Sequence, residues 1–207
     1  MSAPSDIDSG DTSDRFDDLL SRFGGSEAPD AVERVPTSGA SRRMLRRAGV
    51  LRARSLLSAG RIEEAYAAAC RLQALEADDT TTRVIHERVK RRRLAEARRQ
   101  LIDHLPDALA ATGKLLADYP RDPATIRLHA RALIANRLYA EAERLLAALV
   151  GGEEACADDH VQLARIYRVT RAPDRAIGAC FRALEIEREN VLALHLLRQL
   201  LPARSAR

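Results

Sequence analysis

The 207-residue sequence contains no tryptophan, and Phe, Tyr and Trp together make up only 3% of it. A core cannot be built around large rings here, so alanine and leucine must fill it, which suits helices packed closely side by side. Cysteine is scarce too. Cys70, Cys156 and Cys180 form no CxxC pair, and an odd count gives no complete disulfide framework, so a reducing compartment is expected. No stretch approaches the roughly 18 consecutive apolar residues of a membrane span, and no membrane span is expected.

The first forty residues are polar and acidic, unlike an ordinary signal peptide. Ser41-Arg42-Arg43-Met44-Leu45-Arg46 has the look of a twin-arginine export signal, but Arg52 and Arg54 interrupt any apolar segment after it. Cytoplasmic residence is the expectation. The motifs of catalysis are missing as well. His86, His104, His129, His160 and His195 are scattered without the close-spaced pairs of a zinc site. After His86-Glu87, a metalloprotease helix needs a second histidine where Lys90 stands. There is no phosphate loop and no Gly-x-Ser-x-Gly elbow, and Gly151-Gly152 reads as a helix connection. Each cysteine falls on or beside an expected helix, where packing is its ordinary use. A non-enzyme without catalytic residue, metal ligand or cofactor is expected.

Charge is present in quantity and unevenly placed. Residues 1–40 carry nine acidic against three basic residues, while the whole chain is +4, so the body is strongly basic. The tail is rich in Ser, Gly, Pro and Asp and is expected to be disordered alone, because it cannot bury enough apolar surface to offset its ordering entropy. Within it Phe16, Leu19, Leu20 and Phe23 fall at i, i+3, i+4 and i+7, one helical stripe bounded by Ser13 or Asp14 and Gly24. Two readings stand open: an accidental apolar cluster in a linker, or an acidic-aromatic peptide that docks into a groove of this chain or of a partner.

The body is periodic. Ala108, Ala142 and Ala176 are 34 residues apart, Leu115, Leu149 and Ala183 follow each by seven, and Ala130 and Ala164 precede the last two by twelve. An earlier copy at Ala59-Gly60-Arg61-Ile62-Glu63-Glu64-Ala65-Tyr66 places Ala65 43 residues before Ala108, an insertion of nine. The expected units are about 46–79, 80–122, 123–156 and 157–190, with a capping helix over 191–201 and the whole repeat domain at 44–201. Each unit reads as two antiparallel helices. The breaks fall at Gly60, near Asn136-Arg137 and at Arg171-Ala172-Pro173, while Val84 to Ile102 has neither Gly nor Pro and reads as one long helix. Its apolar stripe shifts from Ile85 and Val89 to Leu94, Ala97 and Leu101, which do not share one helical face, so that it projects as an elongated basic element.

These columns resemble the tetratricopeptide repeat over about three quarters of the chain. The resemblance implies an all-α, right-handed superhelical array with small residues where paired helices touch, matching Ala108, Ala130, Ala142, Ala164 and Ala176. It also implies a concave groove lined by the first helix of each unit. Groove positions carried across fall on Arg54, Arg93, Arg127, Arg131, Arg165 and Arg168. Departures are the missing signature aromatics and the presence of Arg92 and Arg99 where apolar residues are expected. Chaperone-binding relatives use asparagine and lysine for a carboxylate clamp; arginine and alanine here argue against heat-shock chaperone tails.

The expected function is therefore that of a protein-binding adaptor or chaperone-like scaffold. Guanidinium forks pair with carboxylates, so its groove would take an acidic or amphipathic peptide, with the tail's own Phe16-to-Phe23 segment as a resting occupant. A bland alternative has these arginines merely solvating a helix face and pairing with nearby glutamates. The competing function is nucleic-acid or anionic-surface binding through Arg83, Arg88, Lys90, Arg91, Arg92, Arg93, Arg98 and Arg99, helped by Arg42, Arg43, Arg46 and Arg47. Aromatic stacking residues are absent from that cluster, and Glu87 and Glu96 interrupt it. The partner, pathway and oligomeric state are not legible.

Overall fold

The computed structural model describes residues 39–75, 79–103 and 105–201. The tail motif Phe16, Leu19, Leu20 and Phe23 lies outside the described residues, as does His104. All regular structure among the described residues is helical: α1 (Gly39–Ser58), α2 (Ile62–Leu75), α3 (Thr80–Asp103), α4 (Leu105–Asp118), α5 (Pro123–Ala135), α6 (Tyr139–Val150), α7 (Ala157–Val169), α8 (Pro173–Ile186) and α9 (Val191–Leu200). The described residues form two compact units, one ending at Arg93 and one beginning at Leu94.

Local chemistry sets the helix starts. Orphan amides at a helix N-terminus need an acceptor, and a short oxygen-bearing side chain supplies it. Asp79 Oδ2 accepts from Thr82 N at 3.0 Å, Asp122 Oδ2 from Thr125 N at 2.9 Å, and Asn190 Oδ1 from Ala193 N at 3.0 Å. At α7 the acceptor comes from inside the helix, Asp159 Oδ2 taking the Cys156 N–H at 3.0 Å. Asp79, Asp122, Cys156 and Asn190 each lie 14 residues after Ala65, Ala108, Ala142 and Ala176, so the caps follow the alanine column. Pro123 and Pro173 stand in first turns, where their missing N–H costs nothing.

The turns between paired helices share a backbone as well as a position. Gly60 (φ 75°), Arg137 (φ 62°) and Arg171 (φ 59°) all occupy the left-handed region. Each is five residues before its alanine, Ala65, Ala142 or Ala176. Glycine enters that region freely, whereas the two arginines hold it against a steric cost. The alanines themselves are shut away: Ala65, Ala108, Ala142 and Ala176 are all 0% exposed, with Ala130 and Ala164 at 1% and 0%. Each of these positions places only a methyl group in the closely packed interior.

In the first unit α1 and α2 pack closely, with Ala53, Leu56, Ala65, Ala69, Leu72, Ile85 and Val89 in the core. At Gly49 there is no room for a side chain, since a Cβ there would lie 2.6 Å from Leu72 Cδ2. The second unit has a small core of Leu94, Ala97, Leu115 and Leu128. Its larger core, with Leu133, Leu146, Val161, Ile166, Cys180 and Leu196 among its members, runs through α5 to α9 as each helix packs on its neighbour.

Helix α3 explains the shifted stripe. It has 24 residues where α5 and α7 have 13 each. The nine inserted residues amount to about two and a half turns, which carries a side chain to the opposite side of the helix. Ile85 and Val89 accordingly join the first core, and Leu94 and Ala97 join the second. The stripe changes direction at Arg93 and Leu94, where the two units divide.

Candidate functional site

The first helices of the second unit, α5, α7 and α9, carry four of the arginines expected to line a groove, or the residues that hold them. On α5, Arg127 Nε donates to Asp159 Oδ1 at 2.8 Å and Nη2 donates to Asp159 Oδ2 at 2.9 Å. A further bond runs from Arg127 Nη2 to the Glu154 carbonyl at 2.5 Å. Asp159 is only 1% exposed, and its Oδ2 also accepts from the Cys156 amide and thiol. Burial disfavours the charged carboxylate, but the bonds from Arg127 and Cys156 outweigh it and hold its pKa below the ordinary 3.8. Arg127 is thus a strut between α5 and α7.

Arg131 is held more loosely. Its Nη2 lies 2.6 Å from Asp158 Oδ2, with side-chain exposures of 49% and 34%. Gln162 Nε2 donates to the other oxygen of Asp158 at 3.3 Å. Both partners meet solvent, so this bond can exchange for one to another carboxylate at little cost. Near the C-terminal end of α7, Arg168 donates to Gln199 Oε1 of α9, and Gln199 in turn contacts His195 at 2.8 Å. Arg165 is exposed and makes no hydrogen bond or ion pair among the described residues. Arg131, Arg165 and Gln199 occupy one column, 34 residues apart.

The two expected site residues of the first unit differ in kind. Arg54 is exposed on α1. Arg93 is only 5% exposed, its Nε and Nη2 bound to Glu63 at 3.1 and 3.3 Å and its guanidinium 4.1 Å from the centre of the Tyr66 ring. It is packed inside the unit and does not line a surface.

The basic run on α3 is also reduced by local pairing. Glu87 holds Lys90 at 2.9 Å and Arg91 at 3.2 Å, and Glu96 holds Arg99 at 3.5 Å. Hydrogen bonds from Lys90, outweighing burial, keep the Glu87 carboxyl below its ordinary range. Arg83, Arg88, Arg92 and Arg98 remain exposed. Among the described residues no group of three His, Cys, Asp or Glu is placed to hold a metal ion, and no helix is long and apolar enough to cross a membrane. The three cysteines are free thiols.

Asp158, Asp159, Glu63 and Gln199 escaped the sequence reading. Gln199 falls in the 34-residue column of Arg131 and Arg165, but the three acidic residues show in the sequence only as carboxylates about 30 positions from an arginine, a separation that helical periodicity does not connect.

No protein-family model matches the sequence, and no curated protein matches it. Among solved structures, the chain is similar to a tetratricopeptide repeat protein from Parabacteroides merdae (14% identity, TM-score 0.44, covering 93% of this chain and 65% of that one). It is also similar to a thermophilic TPR protein of Thermus thermophilus (19% identity, TM-score 0.43, covering 92% and 93%). The TPR domain of a third protein matches at 16% identity and a TM-score of 0.49, covering 96% of this chain and 54% of that one. The 34-residue columns, the shared caps and turns, and the packed helix pairs of the described residues make this an all-α helical repeat chain that resembles the tetratricopeptide proteins.

Proposed function

We propose that the chain is a non-enzymatic adaptor or chaperone-like scaffold that works in the cytoplasm and binds an acidic or amphipathic peptide across the exposed side of α5, α7 and α9. The observation that carries this reading is the state of the Arg131–Arg165 column. Arg165 is exposed without a partner among the described residues, and Arg131 is held only by a solvent-exposed carboxylate. A peptide carboxylate can pair with Arg165 directly and replace Asp158 on Arg131, while Arg168, tethered to Gln199, supplies a third donor at the edge. Arg127 supports the surface from beneath. Arg54 belongs to a separate position on the first unit, and Arg93 serves packing.

The tail segment Phe16 to Phe23 is proposed as a resting occupant of this side, since it offers acidic residues and two aromatic anchors on the same chain. The test is fluorescence anisotropy with an acidic amphipathic peptide against the full chain, the Arg131→Glu/Arg165→Glu double variant and a chain lacking residues 1–40. Loss of binding by at least about tenfold in the double variant supports the reading, as like charges replace two pairs. Equal affinity in all three chains sinks both the groove and the resting tail.

One observation favours a second reading. Arg83, Arg88, Arg92 and Arg98 on α3 are exposed, and no acidic partner for them is found among the described residues. They could contact nucleic-acid phosphates. A phosphate-driven complex weakens steeply with salt and ignores the Arg131/Arg165 variant.

A further inference from the structure

Helix α9 turns Ala193, Leu196, Leu197 and Leu200 into the core of the second unit. A different side carries Val191, Leu194, Arg198 and, at the cap, Leu201, spaced i, i+3, i+7 and i+10 as one helical stripe. Its apolar members meet solvent: Val191 is 75% exposed, Leu194 40% and Leu201 48%.

The preceding helices of the repeat cover these same columns. Leu133 on α5, Tyr167 on α7 and Leu201 are 34 residues apart, as are Ala157 and Val191. Leu133 is 2% exposed, Tyr167 8% and Ala157 5%. On α7 part of the cover comes from the helix that follows, since Arg175 of α8 lies 4.1 Å over the Tyr167 ring and donates to its hydroxyl at 2.9 Å. Among the described residues no further helix follows α9. It therefore shows solvent a side that the array elsewhere uses to pack helix on helix, and a contiguous apolar stripe of that kind marks a contact surface.

Charge selects what fits there. Arg198 replaces the small residue of its column, Ala130 and Ala164, and stands exposed between Leu194 and Leu201 with no hydrogen bond or ion pair among the described residues. Glu189, one residue before the α9 cap Asn190, is exposed and equally without a partner among them. The two charges lie almost evenly about Leu194, Arg198 four positions after it and Glu189 five before it. A copy of α9 laid parallel would set Arg198 against Arg198. A copy turned about a two-fold axis at Leu194 packs that leucine on itself and brings each Arg198 to the start of the facing helix, where Glu189 stands, so one symmetry operation makes both pairs.

We propose that α9 is a dimerisation helix, which pairs antiparallel with α9 of a second copy of this chain. Val191, Leu194 and Leu201 supply the apolar contact, and two reciprocal Arg198–Glu189 ion pairs fix its direction. The second copy takes the place that a following helix takes on α7. Gln199, which continues the column of Arg131 and Arg165, is outside this stripe, so the pairing leaves the peptide side of each copy open and does not depend on it.

The test is sedimentation velocity of the full chain over a concentration series up to about 100 μM, because a contact of this size makes a weak dimer. The full chain is expected to dimerise with rising concentration. Leu194→Glu and Arg198→Glu should each weaken the dimer at least about tenfold with helix content unchanged by circular dichroism, and Glu189→Arg combined with Arg198→Glu should restore it. A full chain that stays monomeric overturns the proposal, and if it dimerises only once residues 1–40 are removed, the stripe belongs to the tail segment instead. A dimer that survives Leu194→Glu lies on another surface and overturns it too. Failure of the double charge exchange to recover what Arg198→Glu loses overturns the antiparallel pairing.

Discussion

Asp159 of α7 receives both forks of the Arg127 guanidinium from α5, at 2.8 and 2.9 Å, while lying 1% exposed. A neighbouring pair built from the same residue types, Arg131 and Asp158, stands in solvent. One turn of helix separates a strut from an exchangeable contact, because the strength of an ion pair depends on whether water can replace either partner.

Arg127→Ala leaves the Asp159 carboxylate buried without its counter-ion. The second unit is expected to lose about 2–4 kcal/mol, somewhat less than a fully buried pair because Arg127 is partly exposed. Arg131→Ala should cost no more than about 1 kcal/mol. Urea denaturation of the two variants checks the contrast, and equal losses would refute the distinction.

Stability should fall in acid through Asp159. Its folded pKa is below the ordinary 3.8, so the unfolded chain takes up a proton first. The contribution is complete above the unfolded value and drains away as pH drops through the folded one. Melting curves from neutral pH down into strong acid should show the wild type converging on Asp159→Asn. A constant difference between them across that range would contradict the assignment.

Replacing Arg137 or Arg171 by glycine relieves a left-handed backbone that Gly60 adopts freely at the equivalent turn. Each change is expected to stabilise by about 0.5–1 kcal/mol, the steric relief being partly offset by the greater freedom of glycine in the unfolded chain. Thermal unfolding of the single variants decides the sign.

Ala142 is 0% exposed between α6 and its neighbours. Ala142→Leu should overpack the second unit and cost about 1–3 kcal/mol, whereas the same change at the exposed Ala147 should be nearly neutral. Parallel denaturation of the two variants tests this.

Much of the fold was legible because it repeats. The columns at Ala108, Ala142 and Ala176 and the breaks near Gly60, Arg137 and Arg171 coincide with helix contacts and turns. Even the disturbed stripe of α3 was visible as Ile85 and Val89 against Leu94 and Leu101. Its meaning was not, because one helix contributing to two cores is a tertiary fact. The helix also begins earlier than expected, at Thr80, since Asp79 caps it. Candidate site residues were harder. Arg93 and Arg165 look alike in sequence, and only the placement of Glu63 and Tyr66 turns the first inward. A pairing across some thirty residues leaves no local periodic trace.

The bonds from Arg46 to Asp79, Arg93 to Glu63, Arg127 to Asp159, Arg175 to Glu143 and Arg168 to Gln199 span 33, 30, 32, 32 and 31 residues. Each ties a helix to one about a single period away. Such a chain has a low contact order, so its folding rate should be fast for its length and governed by local stretches rather than by the search of distant segments for one another. On the ribosome, a helix pair can close as soon as the next thirty or so residues have emerged, before the rest of the message is read.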